Sequence, residues 1–400
     1  MRRRVKITGI GPVTPAGIGR ENFFRGINEP VSRVRAITRF DPAAGAFIGA
    51  EIPDFDLKNY APGENPRRLS RHTQFALVGA MLALQDAGLA PEELRELAPV
   101  IVTGTSTMDI DKMSRGVQVV TKKGPRFSMP NTIYETSIVN VPGRISKYLG
   151  VPARMFAMQS SCCSGLDAVG QAAELVASGQ ADIAITGGCE APLSFHPLLE
   201  FNAAELNPTS GDFPEKSCRP FDLWRSTGVL GEGAALFILE PEHSPRRPYA
   251  WLTGYGYAND PNGAAAFGIA DAIRSALANA RRRPEEVEYI SAWGPGHRVI
   301  DANESMAFKK IYGDRLAEIP VTSIKGAVGT ALGAAGAIQL ASAALSMAHG
   351  LLPPTVNWET PDPQCPLNLS ARPRYIQPRV AVVDGHGLSG SNTAVVLERA

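Results

Sequence analysis

The feature that most restricts how this chain can fold is an alternation of short apolar runs with stretches of helical periodicity, and the alternation is played through twice. Pro99 to Thr105 and Ala181 to Gly188 are apolar runs bounded by turn residues, the pattern of strands covered on both faces. Val5 to Ile10 and Gly231 to Glu240 add two more strands, with Gly9 to Pro12 expected to turn out of the first into a loop. Leu69 to Ala87 and Ser137 to Leu149 carry apolar residues at helical spacing. Thr107 to Asn131 is polar, carries Gly124-Pro125 and Pro130, and reads as an irregular excursion. After the Pro-rich break at Ser244 to Pro248 the rhythm restarts. Strands are expected at Ala250 to Tyr255, Val287 to Ala292, Ile319 to Ser323, Val380 to Asp384 and Thr393 to Glu398. Helices are expected at Ala264 to Ala280, Asp301 to Ile311 and from Thr330 onward. Strand–helix alternation means an α/β fold with largely parallel pairing. The chain divides into similar halves, 1–248 and 249–400, whose facing strand-to-helix turns would converge on a single site.

Chemistry enters at Phe156-Ala157-Met158-Gln159-Ser160-Ser161-Cys162-Cys163-Ser164-Gly165-Leu166-Asp167-Ala168, which reads as a strand, a tight turn and a helix start. Free N–H groups and the helix dipole at such a turn favour a thiolate, which makes Cys162 the candidate nucleophile. Both cysteines could equally be small buried hydrophobes, the preferred reading for Cys163. The run of small residues tips Cys162 the other way, because it is needed where a backbone bends sharply or a substrate comes close.

Composition narrows the partners. A formal net charge of +1 over 400 residues, without long basic or acidic runs, argues against nucleic acid or an anionic membrane as the main ligand. Five cysteines with no C-x2-C spacing give neither a disulfide framework nor a zinc site, so the cytoplasm is the expected compartment. The Ala/Gly/Leu-rich run from Thr330 to Ala348 carries Gln339, Ser342 and Ser346 and reads as a buried helix rather than a membrane span. No P-loop, dinucleotide fingerprint or H-E-x-x-H is present, and neither cofactor nor metal is implied.

Several motifs in order carry a resemblance. They are Arg3 to Gly11; Ser161-Cys162-Cys163-Ser164-Gly165; Arg219-Pro220-Phe221-Asp222 with Val229 to Ala234; Lys325-Gly326 with Gly333-Ala334-Ala335-Gly336-Ala337; and Gly387-Leu388-Ser389-Gly390-Ser391-Asn392. Over nearly its full length the chain resembles the elongating β-ketoacyl-carrier-protein synthases, the family that includes type II polyketide ketosynthases. The resemblance implies a five-layered α-β-α-β-α thiolase fold, a dimer, and Cys162 at the acylated cysteine.

The departures from that family matter more. Its condensing members carry two histidines, which here are replaced by Trp293, in Ala292-Trp293-Gly294-Pro295, and Thr330. Lys325 stands at the family's lysine position, but the glutamate beyond the second histidine is Gln339, and His386 stands where many relatives carry a gating phenylalanine. Decarboxylative condensation needs donors for an enolate oxygen, and losing one good donor costs about 3 kcal/mol. Trp293 offers an indole N–H and Thr330 a hydroxyl, but Trp293 is also large enough to plug the malonyl space. His386 is either a base for Cys162 or a gate. His297 lies in a Gly/Pro loop and is expected to be structural or solvent-facing, while His72, His196, His243 and His349 show no supporting constellation. Asp301, Glu304 and Lys325 would form a buried charge network. Met108, Ile110, Met113 and Val117 correspond to the region that, in the resembled family, reaches over the dimer axis and shapes the acyl tunnel.

The expectation is a chain-length-factor-like subunit, heterodimeric with a catalytic ketosynthase and served by an acyl carrier protein. A stand-alone acyltransferase using Cys162, and an active β-ketoacyl-carrier-protein synthase, are the alternatives.

Overall fold

The computed structural model describes residues 3–39, 47–97, 99–208, 213–261, 263 and 265–400. The first half carries β1 (Val5–Thr14), α1 (Arg71–Ala87), β2 (Pro99–Gly104), α2 (Ile110–Lys123), α3 (Asn140–Leu149), β3 (Arg154–Met158), α4 (Ser164–Ala177), β4 (Ile183–Glu190) and β5 (Gly233–Pro241). The second carries β6 (Ala250–Asn259), α5 (Ile269–Ala280), β7 (Tyr289–Ser291), α6 (Arg298–Tyr312), β8 (Val321–Thr322), α7 (Ala335–His349), β9 (Val380–His386) and β10 (Ser391–Arg399).

These strands lie in the order β3-β2-β4-β5-β1-β6-β10-β9-β7-β8. Outward from the middle the first half reads β1, β5, β4, β2, β3 and the second β6, β10, β9, β7, β8, which is the same order five strands later. The pairing directions repeat as well: β2 is parallel to β3 and β4, as β7 is to β8 and β9, and the remaining pairs in each half are antiparallel. The halves meet through β1 and β6, antiparallel, with Val5 opposite Leu252, Lys6 opposite Trp251 and Ile7 opposite Ala250.

Helices α4 and α7 fill the layer between the half-sheets, α4 against β2 and β4, α7 against β5 and β9. From Ala335 to Met347 every residue of α7 is buried, which is why apolar and small residues occur on all sides of it, with Gln339, Ser342 and Ser346 buried among them. Outside, α1 covers β1 and β5 and α5 covers β6 and β10, completing an α-β-α-β-α stack.

The pairing is less parallel than the alternation predicts, because hairpin-like neighbours such as β9 and β10 share the sheet with the crossover strands. β1 runs on through Pro12 to Thr14 instead of turning out at Gly9. The expected excursion contains α2, capped by Asp109, whose carboxylate accepts from Lys112 N–H. Its apolar residues Ile110, Met113 and Val117 recur at helical spacing, but none of them is buried by the chain's own core. The expected start of α5 at Ala264 lies outside the described residues. The apolar run after Thr330 is the buried α7, and among the described residues no helix is long and apolar enough to cross a membrane.

Close main-chain contact where α4 begins leaves no room for a side chain at Gly165: an added Cβ would lie 2.5 Å from Gly333 O and 2.9 Å from Gly188 Cα. Gly165→Ala is therefore expected to lower unfolding free energy by about 1–3 kcal/mol, read from the urea midpoint; an unchanged midpoint would show that the three segments can separate.

Candidate active site

The turn between β3 and α4 is made by Ser161, held at φ 57°, a left-handed conformation that a residue with a Cβ adopts only when its surroundings impose it. The consequence is that Cys162 projects from the start of α4 into the space between the halves, where it is 6% exposed. Burial is the largest influence on its thiol, pushing it up to about 11, with the Glu190 carboxylate adding to the shift. The Ser161 hydroxyl, the Leu388 main chain and the Lys325 ammonium pull the other way and do not compensate. The expected helix-terminus activation is thus overridden by desolvation. Burial also raises the Cys163 thiol well above its ordinary value, and it donates to Ser391 O at 3.4 Å. Cys218 and Cys365 are pushed to about 12.

Cys162 shares its cavity with Leu230, Trp293, Thr330, His386 and Leu388, and that cavity holds only about 50 Å³. Sites for drug-sized ligands run to several hundred Å³, and one water needs roughly 10–15 Å³. The space suits a few waters. Trp293 forms part of its wall: it is 3% exposed, and its main-chain N–H donates to Glu304 Oε1 at 2.7 Å and Asp384 Oδ1 at 3.2 Å. Thr330 Oγ1 is buried and meets no hydrogen-bond partner among the described residues. His386 Nδ1 is paired with Asn392 Oδ1 at 2.8 Å, across the β9–β10 ladder.

Behind Trp293 lie the buried charges. Lys325 Nζ donates to Gln339 Oε1 at 2.9 Å and sits 4.1 Å from the centroid of the Trp293 ring. Burial pulls its ammonium down to about 8, against the opposing fields of Glu304 and Asp384. Burial also lifts Asp384 and Asp301 to about 7 and Glu304 well above the usual carboxylate range, the last two partly offset by main-chain N–H donors. Asp301 accepts from the N–H groups of Phe221, Gly296 and His297. These carboxyls therefore fix the Gly294–His297 loop from beneath. His297 is structural: its Nδ1 caps α6 by accepting from Val299 and Ile300 N–H, both at 3.3 Å.

Against known proteins, residues 2–244 match the model of the beta-ketoacyl synthase N-terminal domain and residues 249–359 that of its C-terminal domain. The chain belongs to the beta-ketoacyl synthase family. A putative polyketide beta-ketoacyl synthase 1 from Streptomyces virginiae is 37% identical, covering 100% of this chain and 98% of the relative. The tetracenomycin polyketide synthase ketoacyl synthase alpha subunit of Streptomyces glaucescens is 35% identical, covering 99% and 97%. Among solved structures, the ishigamide ketosynthase/chain length factor superposes with a TM-score of 0.93 at 30% identity, over 100% of both chains. A type II PKS acyl-carrier protein in complex with its ketosynthase bound to the hexaketide gives 0.89 at 28% identity, also over 100% of both chains. This is a ketosynthase-family chain, similar over its whole length to type II polyketide synthase subunits.

Within this beta-ketoacyl synthase fold, Cys162, His386, Trp293 and Thr330 converge on one cavity and Lys325 stands directly behind it. Met108, Ile110, Met113 and Val117 do not. Met108 lines a separate cavity of about 520 Å³ with Arg71, His72, Asp111 and Lys112, while Met113 and Val117 are exposed on α2. His196, without a visible partner in the sequence, has its Nδ1 2.9 Å from Asp111 Oδ1. His349 packs on Phe24, ring centroids 4.7 Å apart.

Glu190 escaped the sequence reading. Fully buried at the end of β4, it accepts from Thr105 Oγ1, from the N–H and hydroxyl of Ser106, from Thr107 Oγ1 and from Gly333 N–H, tying the β2 exit to the turn before α7. The visible signal was a carboxylate closing an otherwise apolar strand and three successive hydroxyl residues at the end of another.

Burial raises all five thiols, those of Cys162, Cys163, Cys189, Cys218 and Cys365, and Cys162 is the one that lines the cavity between the halves. Iodoacetamide should label Cys162 first, at a rate that rises about tenfold per pH unit from pH 8 to 10, since only the thiolate reacts and the thiol is still mostly protonated there. Peptide mapping by mass spectrometry would check this; a rate that levels off near pH 8 would contradict the burial argument.

Proposed function

We propose that this chain is the non-condensing, chain-length-factor-like subunit of a type II polyketide synthase, and that it pairs with a histidine-bearing ketosynthase served by an acyl carrier protein. The observation that carries the reading is the Cys162 cavity. Trp293 and Thr330 occupy the positions where the resembled family keeps its two histidines, and the remaining volume of about 50 Å³ has no space for a malonyl group beside an acylated cysteine. Two absent donors at about 3 kcal/mol each amount to a rate loss of about ten-thousandfold or more.

The surface supports pairing. β3 is the outermost strand on its side of the sheet, and Met155 and Phe156 on it are 43% and 41% exposed. Ile133, Tyr134 and Val139 nearby in sequence are exposed too. An uncovered strand edge flanked by apolar side chains is a surface that folded proteins normally cover. Two of the similar structures bear on the partners: one is named as a ketosynthase/chain length factor and the other as an acyl-carrier protein with its ketosynthase. In the pair, α2 with Met113 and Val117 would face the partner's tunnel. We place the boundary between the two halves at 248/249.

A second reading, acyl transfer through Cys162 without decarboxylation, is favoured by the shared cavity of Cys162 and His386, which Thr330 also lines with a buried hydroxyl that has no hydrogen-bond partner among the described residues. Against it, a thiol near 11 is about one part in ten thousand thiolate at pH 7.

Two measurements test the assignment. The purified chain should release no carbon dioxide from malonyl-carrier protein at a rate within about a thousandfold of a histidine-bearing ketosynthase; turnover approaching that of the ketosynthase would return the chain to the condensing enzymes. Co-expressed with candidate ketosynthases, it should co-purify with one of them. Cys162→Ala should then leave product output within about twofold, whereas loss of the partner's cysteine abolishes it. A stable homodimer that exchanges with no ketosynthase, or output lost with Cys162→Ala, would favour acyl transfer instead.

A further inference from the structure

The wall that closes the Cys162 cavity is not held by packing alone. Gln339, fully buried on α7, has its amide in a geometry that only an amide satisfies: Nε2 donates to Ser291 O at 2.5 Å and Asp384 O at 3.0 Å, while Oε1 accepts from Lys325 Nζ. An ionised carboxylate here would set an oxygen against two main-chain carbonyl oxygens, so a charged glutamate could not keep both of these contacts. With Oε1 fixed, the Lys325 ammonium stands 4.1 Å from the centroid of the Trp293 ring, in a site where neither partner is more than 3% exposed. A cation over an indole face is worth most when both are desolvated. The other charged and titratable groups influencing this ammonium are Glu304 and Asp301 on α6, Asp384 on β9 and Cys218. Glu304 and Asp384 also accept from the Trp293 main-chain N–H.

We propose that Gln339 is a positioning residue that fixes the Lys325 ammonium over the Trp293 ring, so that Trp293 and Gln339, two separate departures from the family pattern, act as one lock on the Cys162 cavity. The inference rests on the reading of Trp293 as a plug and adds what holds the plug in place. In Gln339→Glu the new carboxylate turns away from the two carbonyls and takes the ammonium with it as an ion pair. The indole loses its cation and the cavity opens.

Opening is read as the rate at which N-ethylmaleimide modifies Cys162 in the full chain, followed by intact mass and peptide mapping with Cys162→Ala as background. Trp293→Leu should raise the rate by tenfold or more, as should Gln339→Glu, while adding Gln339→Glu to Trp293→Leu should change it less than about twofold. Equal factors for Gln339→Glu on both backgrounds would overturn the lock. An unchanged rate in Trp293→Leu would instead remove the plug reading itself. A second arm needs no substitution at Gln339: replacing tryptophan biosynthetically by mono-, di- and trifluorinated tryptophan weakens the ring's hold on a cation while nearly keeping its shape. Labelling of Cys162 should climb with each fluorine and lose that dependence in Trp293→Leu. A flat series in the unmutated chain would show that the ammonium does not hold the ring, and the proposal would fall.

Discussion

Everything about the site depends on four stretches of main chain touching without side chains between them. A Cβ on Gly188 would lie 2.8 Å from both Gly165 Cα and Gly333 O, and one on Gly104 would lie 2.1 Å from Ser164 O. The ends of β2 and β4, the start of α4 and the turn before α7 are therefore pressed together as backbone. Such contact is rigid because it has no rotamers to relax, and it fixes Cys162 from one half against Thr330 from the other. Glu190 completes the arrangement by gathering donors from the same segments.

What could be read from residues alone divides along a physical line. Period and punctuation are local, so the strands, the helices and the turn at Cys162 were visible in the apolar runs and in Ser160 to Gly165. The doubling was visible for the same reason, and the strand order repeats it. Burial is a property of the assembled fold. A helix terminus is worth at most about 2 kcal/mol to a thiolate, while full burial can shift a group by about 3–5 pH units, so the sign of the shift at Cys162 depended on how tightly the halves close. The helix α2 was legible in its spacing but hidden by Gly124-Pro125 and Pro130, and its apolar face meets no core of this chain. His196 gained a partner, Asp111, from 85 positions away, a pairing no local pattern announces.

The charges beneath Trp293 show what a buried network does in such a fold. Placing Lys325, Asp301, Glu304 and Asp384 out of water costs stability, and well-packed apolar residues would cost less. In return, each carboxyl holds particular N–H groups: Glu304 those of Trp293 and Gly294, Asp301 those of Gly296 and His297. A loop broken by Gly294, Pro295 and Gly296 has little secondary structure of its own to shape it. The buried carboxyls give it one conformation, and with it the position of the residue that decides how much space Cys162 has.

Closure also changes what a cysteine means to a cell. Peroxide attacks thiolates, and the ladder from sulfenic to sulfonic acid begins only where a thiolate and an oxidant can meet. Cys162, held protonated by burial and reached only through a cavity of a few waters, is shielded at both conditions. Here the same thiol is kept protonated within the core, where an oxidant from solvent has little access to it.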